Sequence, residues 1–521
     1  MKKILLLLTG IAFSCNSYQK TASVESNSES SGIITDPTSY AETITQSELQ
    51  AHLFTYASDE FEGRATGTPG QKKAVAYIKE AYENLGIVAA KGDGDYFQKV
   101  PLEVGQVPSG SIAINGNTFE VGQEVLTFGA ASGDYVEMVY VGYGIEEGEY
   151  SDYEGLDVSG KILLAKAGEP KNDDGTFTLS GTDEKSVWSN MSESLGKKTE
   201  LASQKGAKGL LYYDAQNFAR FKGYFSFMKN NKSGRMMLRE EENAIFFVLL
   251  DGAAVKTLKN DIETDSSPKA FQTDLKLNIS SENEQIDSEN VVAIIKGSKK
   301  PNEYVVISSH LDHIGVNADG QINNGADDDG SGTVAMLEIA EAFKKASEAG
   351  VGPERSLVFL HVTGEEKGLL GSRYYTDFEP LFPLSQTVAN LNIDMIGRID
   401  PKRKGDRNYI YLIGSDKLSS ELHAISEEVN QKYTNIEFDY TYNDENDPNR
   451  FYYRSDHYNF AKNNIPIIFY FNGTHPDYHR PGDTPDKINY DLLENRSKLI
   501  FYTAWELANR NDRIVVDKAA N

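Results

Sequence analysis

Apolar positions along the chain follow two rhythms, one of helical spacing and one of short continuous runs. From Gln46 a helix is predicted, with Ser47 as its cap and Leu49, Leu53 and Tyr56 on one face. A glycine-punctuated loop, 62–70, separates it from a second helix carrying Ala74, Ala76, Tyr77, Ile78, Ala81, Tyr82 and Leu85, which ends at Gly86. Between about 101 and 280 the apolar runs are short and broken by Gly and Asp, with strands predicted at 136–143, 162–165, 210–213 and 245–250. After Asn290, strands at 291–295, 305–308, 357–362, 387–393 and 465–471 alternate with helices at 333–343 and within 488–507. This alternation predicts an α/β fold: a mostly parallel mixed sheet flanked by helices. In such sheets, functional groups gather in the loops beyond the carboxyl ends of the strands.

The 521 residues exceed what one core usually holds, so more than one domain is expected. A formal net charge of −26 disfavours nucleic acid and anionic lipid surfaces as partners. The lone cysteine, Cys15, excludes an internal disulfide. It follows Lys2, Lys3 and an apolar run, 4–13, which is too short to span a bilayer but fits a secretory signal core. A cysteine in that position resembles the lipid-attachment residue of a bacterial lipoprotein, with an ordinary signal peptide as the alternative. The implied location is the cell envelope, with membrane contact only through Cys15. Residues 16–45 are polar and read as a flexible tether.

Five clusters of acids and imidazoles fall in the predicted loops: 309–313 with His310, Asp312 and His313; 325–332 with Asp327, Asp328 and Asp329; 364–368 with Glu365 and Glu366; Asp394; and 478–484 with Tyr478, His479 and Asp483. Each cluster alone is more often a solvated turn than a ligand set. Together they follow successive strands of one sheet and converge at one edge. So many acids in one place repel one another unless cations neutralise them. A dinuclear centre does this, and zinc suits mixed nitrogen and oxygen donors.

In this order the clusters resemble the M28 family of co-catalytic zinc aminopeptidases, over about 46–86 and 290–507. The segments 141–144, 157–161 and 205–207 resemble the protease-associated domain, a β-rich insertion. The implied organisation is a signal peptide (1–15), tether (16–45), first catalytic piece (46–105), inserted domain (106–285) and main catalytic piece (286–521). The family resemblance implies two Zn2+ ions, one on His310 and Asp394, the other on Glu366 and His479, with Asp328 bridging and a cis Asp328–Asp329 peptide. It implies Glu365 as general base in cutting N-terminal residues from peptide substrates.

Two roles are open to Tyr478: donor to the developing oxyanion, or a packed ring. Asp312 is expected to orient the His310 ring, and Asp483 either to do the same for His479 or to end a turn. Arg454 either contacts substrate or pairs with Asp456. His313 and His475 are placed at the pocket wall, and His52, His361 and His423 are read as structural. Arg64 is read as part of a structural turn. The other functions weighed are carboxypeptidase action, glutaminyl cyclisation and peptide binding without catalysis. The full ligand set and the retained Glu365 argue against the last two.

Overall fold

The computed structural model describes residues 36–231, 234–239 and 245–518. Cys15 and the apolar run before it lie outside the described residues, as does most of the polar stretch 16–45. The end of that stretch is not a tether. Thr38–Ala41 is a short helix, Ala41 and Ile44 are fully buried, and Tyr40 stacks on Trp505. Two small apolar residues with an aromatic neighbour suffice to dock this segment on the closing helix.

The first long helix is Gln46–Tyr56, capped by Thr45, whose hydroxyl accepts the Glu48 amide; Ser47 lies inside the helix. The second is Pro69–Asn84, with Thr68 as its cap and Pro at its first position. Between them the chain turns through Gly63 (φ 65°), where an added Cβ would lie 2.3 Å from the Asn323 carbonyl oxygen. Only glycine permits that approach.

The larger sheet is mixed. Its order is Arg235–Leu238, Phe97–Gly105, Asn283–Ile295, Arg355–Val362, Lys300–His310, Thr387–Ile393, Ile467–Phe471, Tyr409–Ile413 and Glu437–Asp439. The four strands from Arg355–Val362 to Ile467–Phe471 run parallel, and their carboxyl ends therefore share one edge. Three of these strands are buried along their whole length and Lys300–His310 is buried from Tyr304 onward, which explains their largely apolar reading. Helices Gly332–Glu348 and Tyr490–Asn509 contribute many buried residues to the main core. Among the described residues no helix is long and apolar enough to cross a membrane.

A second sheet of eight strands holds most of the segment 106–285. Its middle strands, Ala131–Tyr140, Ile162–Lys166, Gly209–Tyr213 and Phe246–Leu250, are parallel. The helices Met191–Gln204 and Phe218–Asn231 lie between them in sequence, so this lobe is itself α/β rather than simply β-rich. The two sheets are joined by an antiparallel ribbon. Phe97–Gly105 pairs with Asn283–Ile295 in the larger sheet, and Ser109–Ile114 pairs with Lys269–Ser280 in the smaller. The boundary at 106–285 is also crossed from within: Arg235–Leu238 leaves the lobe to become an edge strand of the larger sheet.

Candidate active site

The acids and imidazoles meet beyond the shared carboxyl edge. His310 ends strand Lys300–His310, Glu365 and Glu366 follow Arg355–Val362, Asp394 follows Thr387–Ile393, and His479 lies in the loop after Ile467–Phe471. Asp328 sits at the centre. Its Oδ1 is 3.2 Å from His310 Nε2 and its Oδ2 is 3.0 Å from His479 Nε2. Asp394 Oδ1 is 3.6 Å from His310 Nε2, and Glu366 Oε2 is 3.1 Å from His479 Nε2. All five expected ligands are therefore brought together. His310 Nε2, Asp328 Oδ2 and Glu366 Oε1 are buried and make no hydrogen bond. Buried polar atoms left without partners are costly, and a cation supplies what they lack. The mixed nitrogen and oxygen donors suit a transition-metal ion.

The run Asp327-Asp328-Asp329 divides its work. Asp327 accepts the Gly397 amide (2.7 Å) and the Asn472 side chain (3.1 Å). Asp329 accepts amides from His310 (3.3 Å), Gly332 (3.0 Å) and Met395 (3.1 Å), tying two ligand-bearing loops together. Asp328 is left to face His310 and His479, and the Asp328–Asp329 peptide is cis. Asp483 neither orients His479 nor merely ends a turn. Its carboxylate accepts the amides of Asp327 and Asp328 at 3.0 and 3.1 Å. His475 faces Asp327 Oδ2 at 3.2 Å instead of joining the pocket wall.

Asp312 meets the His310 ring through its backbone carbonyl and not through its carboxylate. The His310 Nδ1–H donates to the backbone carbonyl of Asp312 at 2.9 Å, which directs Nε2 at the cluster. The Asp312 carboxylate is free for another task, accepting the Glu365 amide at 3.1 Å and the Thr66 hydroxyl at 2.7 Å. Asp312 thus positions both a ligand and the acid beside it. Thr66→Val removes one donor from a buried carboxylate. We expect kcat to fall about tenfold with KM little changed, and Thr66→Ser to restore it; steady-state kinetics on the three proteins check this.

Arg64 is almost fully buried, and its guanidinium donates to the carbonyls of Tyr56 (3.2 Å), Asn324 (2.7 Å) and Gly325 (2.8 Å). It holds the entry to the Asp328 loop and does not reach substrate. Arg64→Met leaves three buried carbonyls short of a donor and should cost roughly 3–5 kcal/mol in urea unfolding.

A small cavity of about 30 Å³ opens on the cluster, lined by Glu365, Asp394, Met395, Phe451, Arg454, Phe469, Phe471 and Tyr478, with Asp328 and His479. Larger hollows lie elsewhere, of about 410 Å³ beside Tyr442 and Tyr458 and about 640 Å³ in the smaller lobe. The convergence of donors, not volume, marks the site. The Tyr478 ring stacks on His479, with centroids 3.9 Å apart. Arg454 lies over Phe451 at 4.9 Å, and both carboxylate oxygens of Asp456 are buried without a hydrogen bond, so the two do not pair.

Without cations the cluster balances its own charge. Burial pulls His310 down, but Asp394 and the contacts with Asp328 outweigh it and raise its pKa well above the imidazole range. His479 is likewise pulled down by burial yet raised to about 10 by Asp328 and Glu366. Glu366, which burial and Asp328 push up, is held at about 2 by His313 and His479. Glu365 is raised well above the carboxylate range, first by burial and then by Glu366 and Asp394 against the pull of His310.

Residues 290–504 match Peptidase family M28. The match takes in all five expected ligands. The chain is 33% identical over 106 residues to a protein of Arabidopsis thaliana named Probable glutamate carboxypeptidase LAMP1, covering 20% of this chain and 14% of that protein. It is 26% identical over 233 residues to Aminopeptidase YwaD of Bacillus subtilis strain 168, covering 43% and 46%. The chain thus spans less than half the length of these two relatives. The solved aminopeptidase from Aneurinibacillus sp. strain AM-1 is 19% identical, with a TM-score of 0.45 over 93% of this chain and 98% of that one.

The residue undervalued in the sequence is His313, whose Nδ1 lies 2.8 Å from Glu366 Oε1. The remaining four histidines are structural: His52 meets the Tyr77 hydroxyl, His361 the Tyr82 hydroxyl, His423 the Ser415 hydroxyl and His457 the Tyr452 carbonyl.

Proposed function

We propose that this protein is a metallo-aminopeptidase with two zinc ions, and that the meeting of unpartnered ligand atoms around Asp328 carries the reading. His310 and Asp394 would hold one ion, Glu366 and His479 the other, and Asp328 both. Bound there, the ions would polarise the scissile carbonyl and acidify a water molecule. Glu365, fixed through its amide to Asp312, takes the water proton on its carboxylate and passes it to the departing amine. The Tyr478 hydroxyl, kept protonated by burial and by the negative charge of Asp328, is a donor for the carbonyl oxygen as it gains charge. The acids around the cavity favour a protonated N-terminus. The apolar wall of Met395, Phe451, Phe469 and Phe471 favours an apolar first side chain. The name of the Bacillus relative supports the same reading.

Carboxypeptidase action is the second reading, favoured by the name of the Arabidopsis relative. It requires a cationic clamp for the terminal carboxylate. Arg454 is the one basic residue other than histidine in the cavity lining. A panel of aminoacyl chromogenic substrates with their N-blocked counterparts separates the two. Free but not blocked substrates should be cleaved, and a chelator should abolish cleavage; hydrolysis of blocked peptides from the carboxyl end would overturn the proposal. We also propose that the protein is exported and lipid-anchored at Cys15, a reading that rests on the order of the basic, apolar and cysteine residues.

Ion binding must displace protons. At neutral pH the metal-free protein holds protons on His310 and His479, and Glu365 is raised as well, so zinc uptake should release about two protons or more per chain. Because the His479 value is raised to about 10, apparent zinc affinity should climb with pH up to that value. Calorimetry in buffers of different ionisation enthalpy measures the release.

A further inference from the structure

The ring of His313 is fully buried, and neither of its nitrogens makes a hydrogen bond. Its Nδ1 is nonetheless 2.8 Å from Glu366 Oε1 and 3.7 Å from Asp328 Oδ2. A contact that short without a hydrogen bond means the ring does not aim an N–H along it. The same signature marks His310 Nε2: buried, unbonded, and 3.2 Å from a carboxylate oxygen of Asp328. Donor atoms of His313, Asp328 and Glu366 all lie within 4.8 Å of one another, close enough to share one ion.

The surroundings keep the ring in place. The His313 amide donates to the Arg64 carbonyl at 3.3 Å, and Ala65 and His313 form an isolated parallel bridge. On the other side the ring rests against Gly325, where a Cβ would come within 2.6 Å of His313 Cγ and Cδ2. An imidazole locked this way, with both nitrogens unpaired in the interior, pays the full cost of desolvation unless something accepts its lone pair.

We infer that His313 Nδ1 is an additional nitrogen ligand on the Glu366–His479 side of the centre, an inference that rests on the two-ion reading above. That side then offers four protein residues, Asp328, Glu366, His479 and His313, whereas the other offers His310, Asp394 and the shared Asp328; Asp329 lies close to His310 and Asp394 too, but both its oxygens are taken up by backbone amides. A side closed by protein donors holds its ion as structural zinc sites do, and the side with an open position is left for water and substrate. The two ions should therefore differ in lability.

The test uses the whole protein, stripped with a chelator and reloaded with zinc. Wild-type protein should lose one ion at a chelator concentration at least about tenfold below that needed for the other. His313→Ala should weaken the tighter step by about 100-fold or more, and X-ray absorption at the zinc edge should show one imidazole fewer per pair of ions. Equal lability of the two ions in wild type, or an absorption spectrum unchanged by the substitution, overturns the inference. If His313→Ala does not fold, the imidazole count of the wild-type spectrum decides alone. Failure of the broader reading looks different: the wild-type protein would then bind no stoichiometric zinc at all.

Discussion

Glu365→Gln will leave the protein folded and loaded with zinc while peptide hydrolysis drops by about a thousandfold. The side chain keeps its size, and the backbone amide that Asp312 holds is untouched. What disappears is the ability to take and return a proton. Glu365 lines the cavity but makes none of the close contacts with imidazole that the ligands make, so metal content should not change. Steady-state rates and zinc content by mass spectrometry are both required. Turnover within tenfold of wild type would remove Glu365 from the role of base, and loss of zinc would make it a ligand instead.

Asp328→Ala has the other large effect. This one carboxylate lies within 3.2 Å of His310 and 3.0 Å of His479, and no other acid approaches both. On the two-ion reading its removal takes a donor from each ion, so both should dissociate at free zinc levels that saturate the wild type, with affinity lowered by well over about 100-fold. Activity should fall to background with it. The loop itself should survive, because Asp327 and Asp329 remain bonded to backbone amides and Asp483 still accepts the Asp327 amide. In the metal-free state the variant leaves its imidazoles without their central counter-charge and should be less stable than metal-free wild type by about 3 kcal/mol. Retention of two ions by Asp328→Ala would show that the two halves of the centre do not share this residue.

The strands that build the site were readable because burial on both faces writes itself as unbroken apolar runs, such as 305–308 and 465–471. The ligands were readable because imidazoles and acids stand directly after those runs. Features that depend on tertiary geometry were not. Whether Asp312 offers His310 its carboxylate or its carbonyl is set by the orientation of one peptide group, which spacing does not encode. Thr66 and Arg64 find their partners more than 240 residues away, Thr66 at Asp312 and Arg64 at Asn324 and Gly325. His313 resembles any histidine in a loop until Gly325 is seen pressed against its ring. Strand Arg235–Leu238 is four residues long, and its side chains carry no alternation that would betray which sheet it joins.

That strand and the ribbon beside it bear on how the molecule moves and how it can be cut. Excising 106–285 as a cassette would bare the hydrogen-bonding rim of Phe97–Gly105, an invitation to aggregation. Swinging the smaller lobe means flexing a double-stranded leaf spring at residues 106–108 and 281–282, with a third tether beside it. The lobe also touches the wall of the cavity's own loop, since Glu193 meets Arg450, the residue before Phe451, at 2.8 Å. Travel of the lobe would therefore have to break this partly exposed ion pair or carry the cavity loop with it.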